Sequence, residues 1–370
     1  MSLQLNGTDG VTFNDGSEQW AAASPIGTKN LIINGNMQIA QRGTSSSSYS
    51  SGDTYLTLDR WRSNLSSAGT WTMSQDTDVP SGQGFATSMK WDCTTANGSL
   101  SAGSYMYFTQ YFEGQNLQHL KKGTSSAESL TVSFWVKSNK TGTYTVFLYD
   151  VDNTRLISKS YTIDTADTWE KKTITFAGDT SGVLDNDNAR SFDIRFMLVA
   201  GTDWSSGTLQ TSWAANVTAN RAVGQVNLAD NTSNYINITG VQLEVGDTAT
   251  PFEHRPYDME LARCQRYYYK YKPNVNSSGV CAGLFFTSGG PLYSFHYKFP
   301  MRANPTFSYS ALSDFNIVKN GAAGNPTNLV ATGLSTEGCR LDITFSGTAG
   351  DGSIMQTSGT SSYLDFSAEL

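Results

Sequence analysis

Between residues 30 and 255 the chain alternates apolar and polar positions over short stretches, as half-buried β-strands do. In the stretch TVSFWVKS (131–138), Val132, Phe134 and Val136 occupy every second position and are predicted to face a core. Thr, Val, Tyr and Phe are frequent in such stretches, and clusters of Gly, Asn, Asp and Ser separate them. The pattern predicts an all-β domain, a β-sandwich or jelly roll, over residues 29–255. Further strands are predicted at 143–150, 191–200 and 234–246.

The pattern changes after residue 255. Residues 256–272 are predicted to form a short linking helix with Asp258 as a candidate N-cap, and the tyrosines at its end enter a new strand. Residues 273–370 return to short apolar stretches broken by glycines and Asn-Pro, which predicts a second, smaller C-terminal β domain. No repeat of about 20 to 50 residues is visible, so neither a propeller nor a parallel β-helix is supported.

Residues 1–28 alternate short apolar pairs with Asn-Gly and Asp-Gly turn signals. These pieces are too short to offset chain entropy by themselves. The spaced apolar residues favour an extended arm that becomes ordered against its neighbours over a floppy tail. The apolar residues in question are Leu3, Leu5, Val11, Phe13 and Trp20.

The charge balance argues against nucleic acid as a partner. The net charge is -7, and no basic stripe is present. Residues 256–370 hold eight basic and eight acidic residues, so the negative excess belongs to residues 1–255. The first residues show no signal peptide, and no apolar stretch approaches the ~20 residues of a membrane span. We therefore expect neither export by the usual route nor membrane insertion.

Metal-thiolate and catalytic motifs are not found. The four cysteines do not form a C-x-x-C pair, so we expect free thiols of a protein made in a reducing cytoplasm, with a Cys264–Cys281 bridge left open. His119, His254 and His296 are scattered, and no nucleophile elbow, H-E-x-x-H or P-loop is present. We predict a protein that is not an enzyme.

Three segments together resemble a known family. NLIINGNMQIAQRG (30–43) followed by LDRW (58–61) resembles the opening of a jelly-roll domain of bacteriophage tail-fibre and other virion-appendage proteins. The segment 238–268, from ITGVQLEVG to ELARCQRYY, resembles its closing. FPMRANPTF (299–307) is similar to the module that often follows. The resemblance covers about residues 29 to 310.

The resemblance implies a carbohydrate-binding-module-like jelly roll, a homotrimer and a place on a phage particle. Residues 1–28 look like the arm that attaches such fibres to other virion proteins. The opening and closing strands would be neighbours, with Asn34-Gly35-Asn36 as the turn after the first strand. Related sugar-binding jelly rolls often hold a structural calcium there, for which Asn36 and Glu244 are the candidate ligands; a plain hydrogen-bonded strand pair is the default.

Sugar binding requires exposed aromatic faces ringed by polar groups. Trp61 and Trp135 lie in apolar strand patterns and are predicted to belong to the core. Trp204 and Trp213 lie in a long polar loop and are the candidate sugar-binding residues. The alternation YYYKYKP (267–273) is predicted to pack between subunits or domains, with stacking on a ligand as the alternative.

We therefore expect a trimeric tail-fibre-like subunit of a phage virion, made in the host cytoplasm, that binds host surface polysaccharide without cleaving it. Residues 273–370 would form the distal tip. Three alternatives remain open: a tailspike depolymerase, a purely structural head, neck or collar fibre, and a bacterial carbohydrate-binding protein encoded in a prophage remnant.

Overall fold

The computed structural model describes residues 29–370 other than residue 274, together with the backbone of residues 11–12 and 18–19. Apart from those two short strands, the arm predicted over residues 1–28 lies outside the described residues. The architecture is all-β, as the alternating pattern predicted. The described residues divide into two compact units.

The chain enters the second unit three times. Among the described residues, the first unit comprises residues 11–12, 18–19, 29–38, 44–56 and 61–255, and the second comprises residues 39–43, 57–60 and 256–370. The motif LDRW is divided between them, since Asp59 and Arg60 belong to the second unit and Trp61 to the first. The second unit is therefore discontinuous in the sequence.

The first unit is built from strands with one short α-helix and several 3₁₀ turns. In chain order the strands are β1 (Val11–Thr12), β2 (Glu18–Gln19), β3 (Gly52–Tyr55), β4 (Arg62–Ser66), β5 (Thr70–Asp76), β6 (Ser88–Thr95), β7 (Tyr105–Glu113), β8 (Leu130–Ser138), β9 (Gly142–Asp150), β10 (Arg155–Ile163), β11 (Glu170–Phe176), β12 (Arg190–Ala200), β13 (Ala214–Ala215) and β14 (Tyr235–Val245). The helix is α1 (Thr202–Ser205), and the 3₁₀ turns are Gly114–Asn116, Gln118–Leu120, Thr218–Asn220 and Leu228–Asp230.

Two antiparallel sheets pack face to face in this unit. The strand order is β13-β10-β9-β12-β7-β4-β3 in one and β11-β8-β14-β6-β5 in the other. Phe134 of β8 joins the layers, because its ring lies 5.2 Å from that of Phe196 (β12) and 5.1 Å from that of Tyr161 (β10). Val132, Phe134 and Val136 are 0% exposed, which confirms the predicted inward face.

The opening and closing segments of the sandwich are neighbours. The amide of Leu31 donates to the carbonyl of Leu243 at 2.8 Å, and the amide of Val241 donates to the carbonyl of Gly35 at 2.9 Å. Residues 31–33 nevertheless form no regular strand, contrary to the expectation of a first strand there. The backbone of this segment bonds to side chains in place of a neighbouring strand, since the amides of Ile32 and Ile33 donate to Asn30 Oδ1 at 2.9 Å and Gln110 Oε1 at 2.7 Å.

The second unit contains one helix and ten strands among the described residues. They are α2 (Tyr257–Gln265), β15 (Tyr268–Tyr271), β16 (Gly279–Thr287), β17 (Gly290–His296), β18 (Thr306–Tyr309), β19 (Phe315–Lys319), β20 (Ala322–Gly324), β21 (Asn328–Thr332), β22 (Gly338–Thr344), β23 (Gly352–Thr357) and β24 (Leu364–Ser367), with a 3₁₀ turn at Leu312–Asp314. Asp258, the candidate N-cap, lies in the first turn of α2, because the helix begins one residue earlier after Pro256.

The core of the second unit is aromatic. Its sheets have the strand orders β15-β24-β18 and β20-β19-β23-β16-β17-β22-β21. Phe366 of β24 packs between the two sheets, with its ring 6.2 Å from that of Tyr269 (β15) and 5.1 Å from that of Phe295 (β17). Each of these three rings is 5% exposed or less.

Short segments from early in the chain complete this unit. The guanidinium of Arg60 pairs with Glu369 and lies 3.5 Å from the centre of the Tyr267 ring. Arg42 pairs with Glu369 at 3.2 Å and lies 3.6 Å from the centre of the Tyr268 ring. The tyrosines after α2 therefore pack inside the second unit, on arginines contributed by residues 39–43 and 57–60.

Two further observations concern the whole described chain. None of its helices is long and apolar enough to cross a membrane. Cys93, Cys264, Cys281 and Cys339 are all free thiols, so the conceivable Cys264–Cys281 bridge is not formed.

Candidate functional site

Trp135 lies on the outer face of the five-stranded sheet. It stands between the inward-facing Phe134 and Val136, and its cross-strand partners are Lys171 of β11 and Thr239 of β14. Its side chain is half-buried. The prediction that Trp135 belongs to the core is wrong, because the alternation that buries its two neighbours turns its ring outward. Trp61, in contrast, is 0% exposed as predicted.

A bulge in β14 makes room beside this tryptophan. The register between β14 and β8 shifts between Thr239 and Gln242, and Gly240 inside the shift has a φ of +63°. A β carbon at Gly240 would lie 2.5 Å from the ring of Phe85. Glycine permits both the left-handed conformation and the close approach of the ring. Phe85 therefore packs directly on the strand backbone.

Three rings form an aromatic wall of the same groove. Phe85 and Phe252 meet edge to face with centroids 5.1 Å apart, and His254 lies 5.3 Å from Phe85 and 4.9 Å from Phe252. Edge-to-face pairs are favourable because the positive ring edge meets the negative ring face. His254 thus packs against two aromatic rings, while Glu253 pairs with Arg255 at 3.0 Å.

The groove is large enough for a short oligosaccharide segment. Its volume is about 500 Å³, and it is open to solvent. Polar side chains line it together with the rings, among them Gln83, Ser133, Lys171 and Thr248. Aromatic faces pack on the C–H surfaces of sugar rings, and polar groups at the rim hydrogen-bond hydroxyls. The arrangement suits a neutral, hydroxyl-rich ligand.

Glu244 anchors the loop that carries Phe252 and His254. Its Oε1 accepts hydrogen bonds from the amide of Thr250 at 2.9 Å and from Gln242 Nε2 at 2.8 Å, and its Oε2 accepts one from the Thr250 hydroxyl at 2.7 Å. The carboxylate is almost fully buried. Its acceptor positions are therefore taken by donors of this chain, which holds the groove loop in place.

The two predicted calcium ligands lie at opposite ends of the paired opening and closing segments. Glu244 follows Leu243 at one end, and Asn36 follows Gly35 at the other, where the hydroxyl of Thr87 donates to the Asn36 carbonyl at 3.1 Å. The structure does not bring the two side chains together. Among the residues described, no group of three or more His, Cys, Asp or Glu is placed to hold a metal ion.

A side-chain cation lies between the opening and closing segments instead. Arg255 donates to the carbonyls of Asn30 and Ile32, the latter at 3.0 Å, and pairs with Glu253. The guanidinium of Arg255 therefore ties the opening segment to the residues that follow β14.

Trp204 and Trp213 lie apart from the groove. Trp204 is 8% exposed, with Tyr105 at 4.5 Å and the guanidinium of Arg221 at 4.8 Å from its ring. The expectation of an exposed ring at Trp204 is wrong, because the sheet and its own loop cover it. Trp213 is partly exposed, and its ring lies 5.0 Å from the ammonium group of Lys122. A glycan contact at either tryptophan stays a prediction.

No protein-family model and no curated protein matches this chain. Similar solved structures include the enzymatically active domain of tailspike protein 4 of bacteriophage CBA120, which is 15% identical with a TM-score of 0.30; the match covers 58% of this chain and 21% of that domain.

Two carbohydrate-binding modules are also similar. TmCBM61, solved with β-1,4-galactotriose, is 9% identical over 59% of this chain and 99% of the module, with a TM-score of 0.31. The family 11 module of Clostridium thermocellum, solved with a β-1,3-1,4-mixed-linked tetrasaccharide, is 14% identical over 56% of this chain and 99% of the module, with a TM-score of 0.28. TM-scores this low carry no argument about what this chain binds.

Proposed function

We propose that this chain binds glycans, without cleaving them, through the groove at Trp135. The observation that carries the proposal is the half-buried Trp135 ring in an open groove of about 500 Å³ with a polar rim. A large aromatic ring left partly exposed on a sheet face gives up apolar burial, which a stacked sugar ring would restore. The rigid sheet below holds the ring in place before the ligand arrives.

We further propose that the glycan is a polysaccharide of the bacterial surface and that the chain is a trimeric tail-fibre-like part of a phage virion. This step rests on the resemblance of residues 30–43 and 238–268 to virion-appendage proteins. Three weak sites on one trimer would bind a repetitive polysaccharide far more tightly than one site does. Residues 1–28 would attach the trimer to other virion proteins.

The groove is tested by Trp135→Ala. Affinity electrophoresis of the full chain through gels containing bacterial envelope polysaccharides identifies a polysaccharide that retards the wild-type protein. Because the variant loses the ring contact together with its buried area, we expect its affinity to fall about 10-fold or more.

Phe286→Ala is the matched control, since Phe286 is 70% exposed on β16 of the second unit and lies outside the groove. It should migrate like the wild type. Equal retardation of all three proteins would contradict the assignment of the groove.

Catalysis and assembly have separate readouts. Incubation with the retarding polysaccharide should release no reducing ends, and their release would make the chain a depolymerase. Light scattering should give three times the chain mass of 40.2 kDa, and a monomer would contradict the trimer while leaving the groove assignment intact.

A further inference from the structure

The outer face of the first unit's seven-stranded sheet carries a buried carboxylate shared by two arginines. Asp193 of β12 is 0% exposed. Its Oδ1 accepts from Arg190 Nε at 2.8 Å, and its Oδ2 accepts from Arg195 Nε at 2.8 Å. Both carboxylate oxygens are therefore engaged, and this one negative charge already faces two positive charges.

A third guanidinium lies on the same face and has no carboxylate partner of its own among the described residues. Arg221 is 8% exposed, and its one side-chain hydrogen bond in the described chain runs from Nε to Asn216 Oδ1 at 2.9 Å. The rings of Trp204 and Tyr149 lie 4.8 and 5.5 Å from its guanidinium. Such cation–π contacts offset only part of the cost of burying a charge.

The nearby tyrosine does not provide the missing negative charge. Burial raises the pKa of Tyr107, although the nearby charge of Arg195 opposes the rise, so its phenol is neutral near pH 7. Burial, and next the charge of Arg195, lower the pKa of Arg221 to about 10. The shift at Arg221 shows that its environment disfavours the charged form of its guanidinium.

The charge of this arginine cluster is opposite in sign to the net charge of the chain. Arg190, Arg195 and Arg221 together face one carboxylate, a surplus of two positive charges in a chain whose net charge is -7. Arg195 and Arg221 also share a partly exposed ring, since their guanidinium carbons lie 4.6 and 5.5 Å from the centre of Tyr149. A ligand that packs on Tyr149 would reach both arginines.

We propose that this cluster is a second binding site, which holds the oxyanion of an acidic saccharide between Arg221 and Arg195 with the sugar ring against Tyr149. Guanidinium groups bind carboxylate and sulfate through paired, charge-assisted hydrogen bonds. The oxyanion would neutralise the surplus positive charge. Binding is therefore favourable, because burying that charge costs free energy in the free protein. None of these residues lines the groove at Trp135, so this site is independent of the proposed function.

The test is calorimetric titration of the full chain with trigalacturonic acid, a sulfated galactotriose and neutral galactotriose. The two acidic probes distinguish a carboxylate from a sulfate ligand, and either one binding at least 10-fold more tightly than the neutral sugar supports the site. Because one charge-assisted contact is removed, Arg221→Gln should weaken acidic-probe binding about 10- to 100-fold.

Arg340→Gln is the matched control, since Arg340 is paired with Asp342 on the surface of the second unit. It makes the same change in net charge and should leave the affinity unchanged. Equal affinity of Arg221→Gln and wild type, or equal binding of acidic and neutral sugars, would overturn the proposal. So would a loss of acidic binding in Trp135→Ala with none in Arg221→Gln, since that result assigns the ligand to the groove.

Thermal unfolding reports whether the variant folds. If Arg221→Gln does not fold, Arg221→Lys tests the site in its place. Lysine keeps the positive charge but lacks the planar guanidinium that forms paired hydrogen bonds. We then expect Arg221→Lys to bind the acidic probe more weakly than the wild type does. The affinity of the wild type for the same probe should fall as salt is added. Binding unaffected by both the lysine and the salt would overturn the proposal.

Discussion

Lys122 lies inside the first unit against two buried carboxylates. Its ammonium group donates to Asp150, to Asp179 at 2.9 Å and to the carbonyl of Gly182 at 2.9 Å. The partly exposed ring of Trp213 covers this group. Trp213 therefore has a structural role beside the sugar contact predicted for it: its ring limits the access of water to a buried ion pair.

Replacing this lysine should be costly. Lys122→Met leaves the buried carboxylate of Asp150 without its ion-pair partner, while Asp179 keeps its two hydrogen bonds from Arg155. We therefore expect the free energy of unfolding to fall by about 3–5 kcal/mol. Urea unfolding followed by tryptophan fluorescence measures it.

The neighbouring residue provides the control. Lys121 pairs with Glu128 on the surface, where its side chain is 55% exposed. Lys121→Met should therefore change the stability by about 1 kcal/mol or less. Similar losses in both variants would show that Lys122 does not hold the carboxylates as described.

At the scale of single residues, the sequence predicted burial better than it predicted sites. The alternation around Phe134 located the inward face, and the same alternation, applied strictly, places Trp135 outside. Trp204 was expected to be exposed because its loop is polar, but the loop folds back over the sheet. Burial of a loop residue against a distant part of the chain leaves no pattern in the nearby sequence. The residues Phe85, Phe252 and His254 meet only through the fold.

Among the secondary-structure elements, β14 does most to shape the groove. Its bulge at Gly240 seats Phe85 on the strand backbone, and its last residues lead into the loop held by Glu244. A glycine inside an otherwise β-branched stretch is the sequence signal for such a bulge. In ITGVQLEV that signal is present, although it does not reveal which ring fills the space.

Gly240→Ala should disturb both stability and binding. The substitution adds backbone strain and pushes the new methyl group into the Phe85 ring, so we expect a loss of about 2–4 kcal/mol and weaker retention by the polysaccharide that the groove binds. Unfolding and affinity electrophoresis are measured on the same preparation.

Gly82→Ala separates strain from contact. Gly82 has a similar φ of +73°, but nothing lies within 4 Å of the position that the new methyl group would occupy. It should lose only about 1–2 kcal/mol. Equal losses at Gly82 and Gly240 would mean that the packing of Phe85 on the bulge adds nothing.

Strand prediction succeeded where one face of a strand is buried and the other faces solvent, as in β8. It is harder for β21 and β23, which carry the exposed apolar residues Val330 and Ile354. A strand that is apolar on both faces has no period of two to detect. The strand predicted at residues 31–33 is absent for a different reason, since the backbone groups of Ile32 and Ile33 bond to the side chains of Asn30 and Gln110.

On the scale of the whole molecule, the second unit depends on residues 39–43 and 57–60, which are distant in sequence from the rest of that unit. Glu369 is almost buried and pairs with Arg42 and Arg60. A fragment of residues 256–370 lacks both arginines, which leaves this carboxylate unpaired and the rings of Tyr267 and Tyr268 uncovered. The sequence indicated a domain boundary near residue 255 but not these early segments, because ion pairs between distant residues have no local pattern.

We therefore expect the fragment 256–370 to unfold without a cooperative transition, or to melt far below the full chain. Circular dichroism during heating measures this. Adding a synthetic peptide of residues 39–60 should restore part of the transition, and a peptide with Arg42 and Arg60 replaced by Met should not. A fragment that melts as cooperatively as the full chain would show that the early segments are dispensable.

The discontinuous second unit also constrains how genes of this kind can exchange their ends. A crossover at codon 255 would join a new C-terminal unit to the old Arg42, Asp59 and Arg60, and the foreign chain would have to supply matching partners for them. Exchanges that start upstream of codon 39 transfer all three segments of the second unit together. Among descendants of such exchanges, the inheritance of residues 39–60 should follow that of residues 256–370 more closely than that of the sandwich encoded between them.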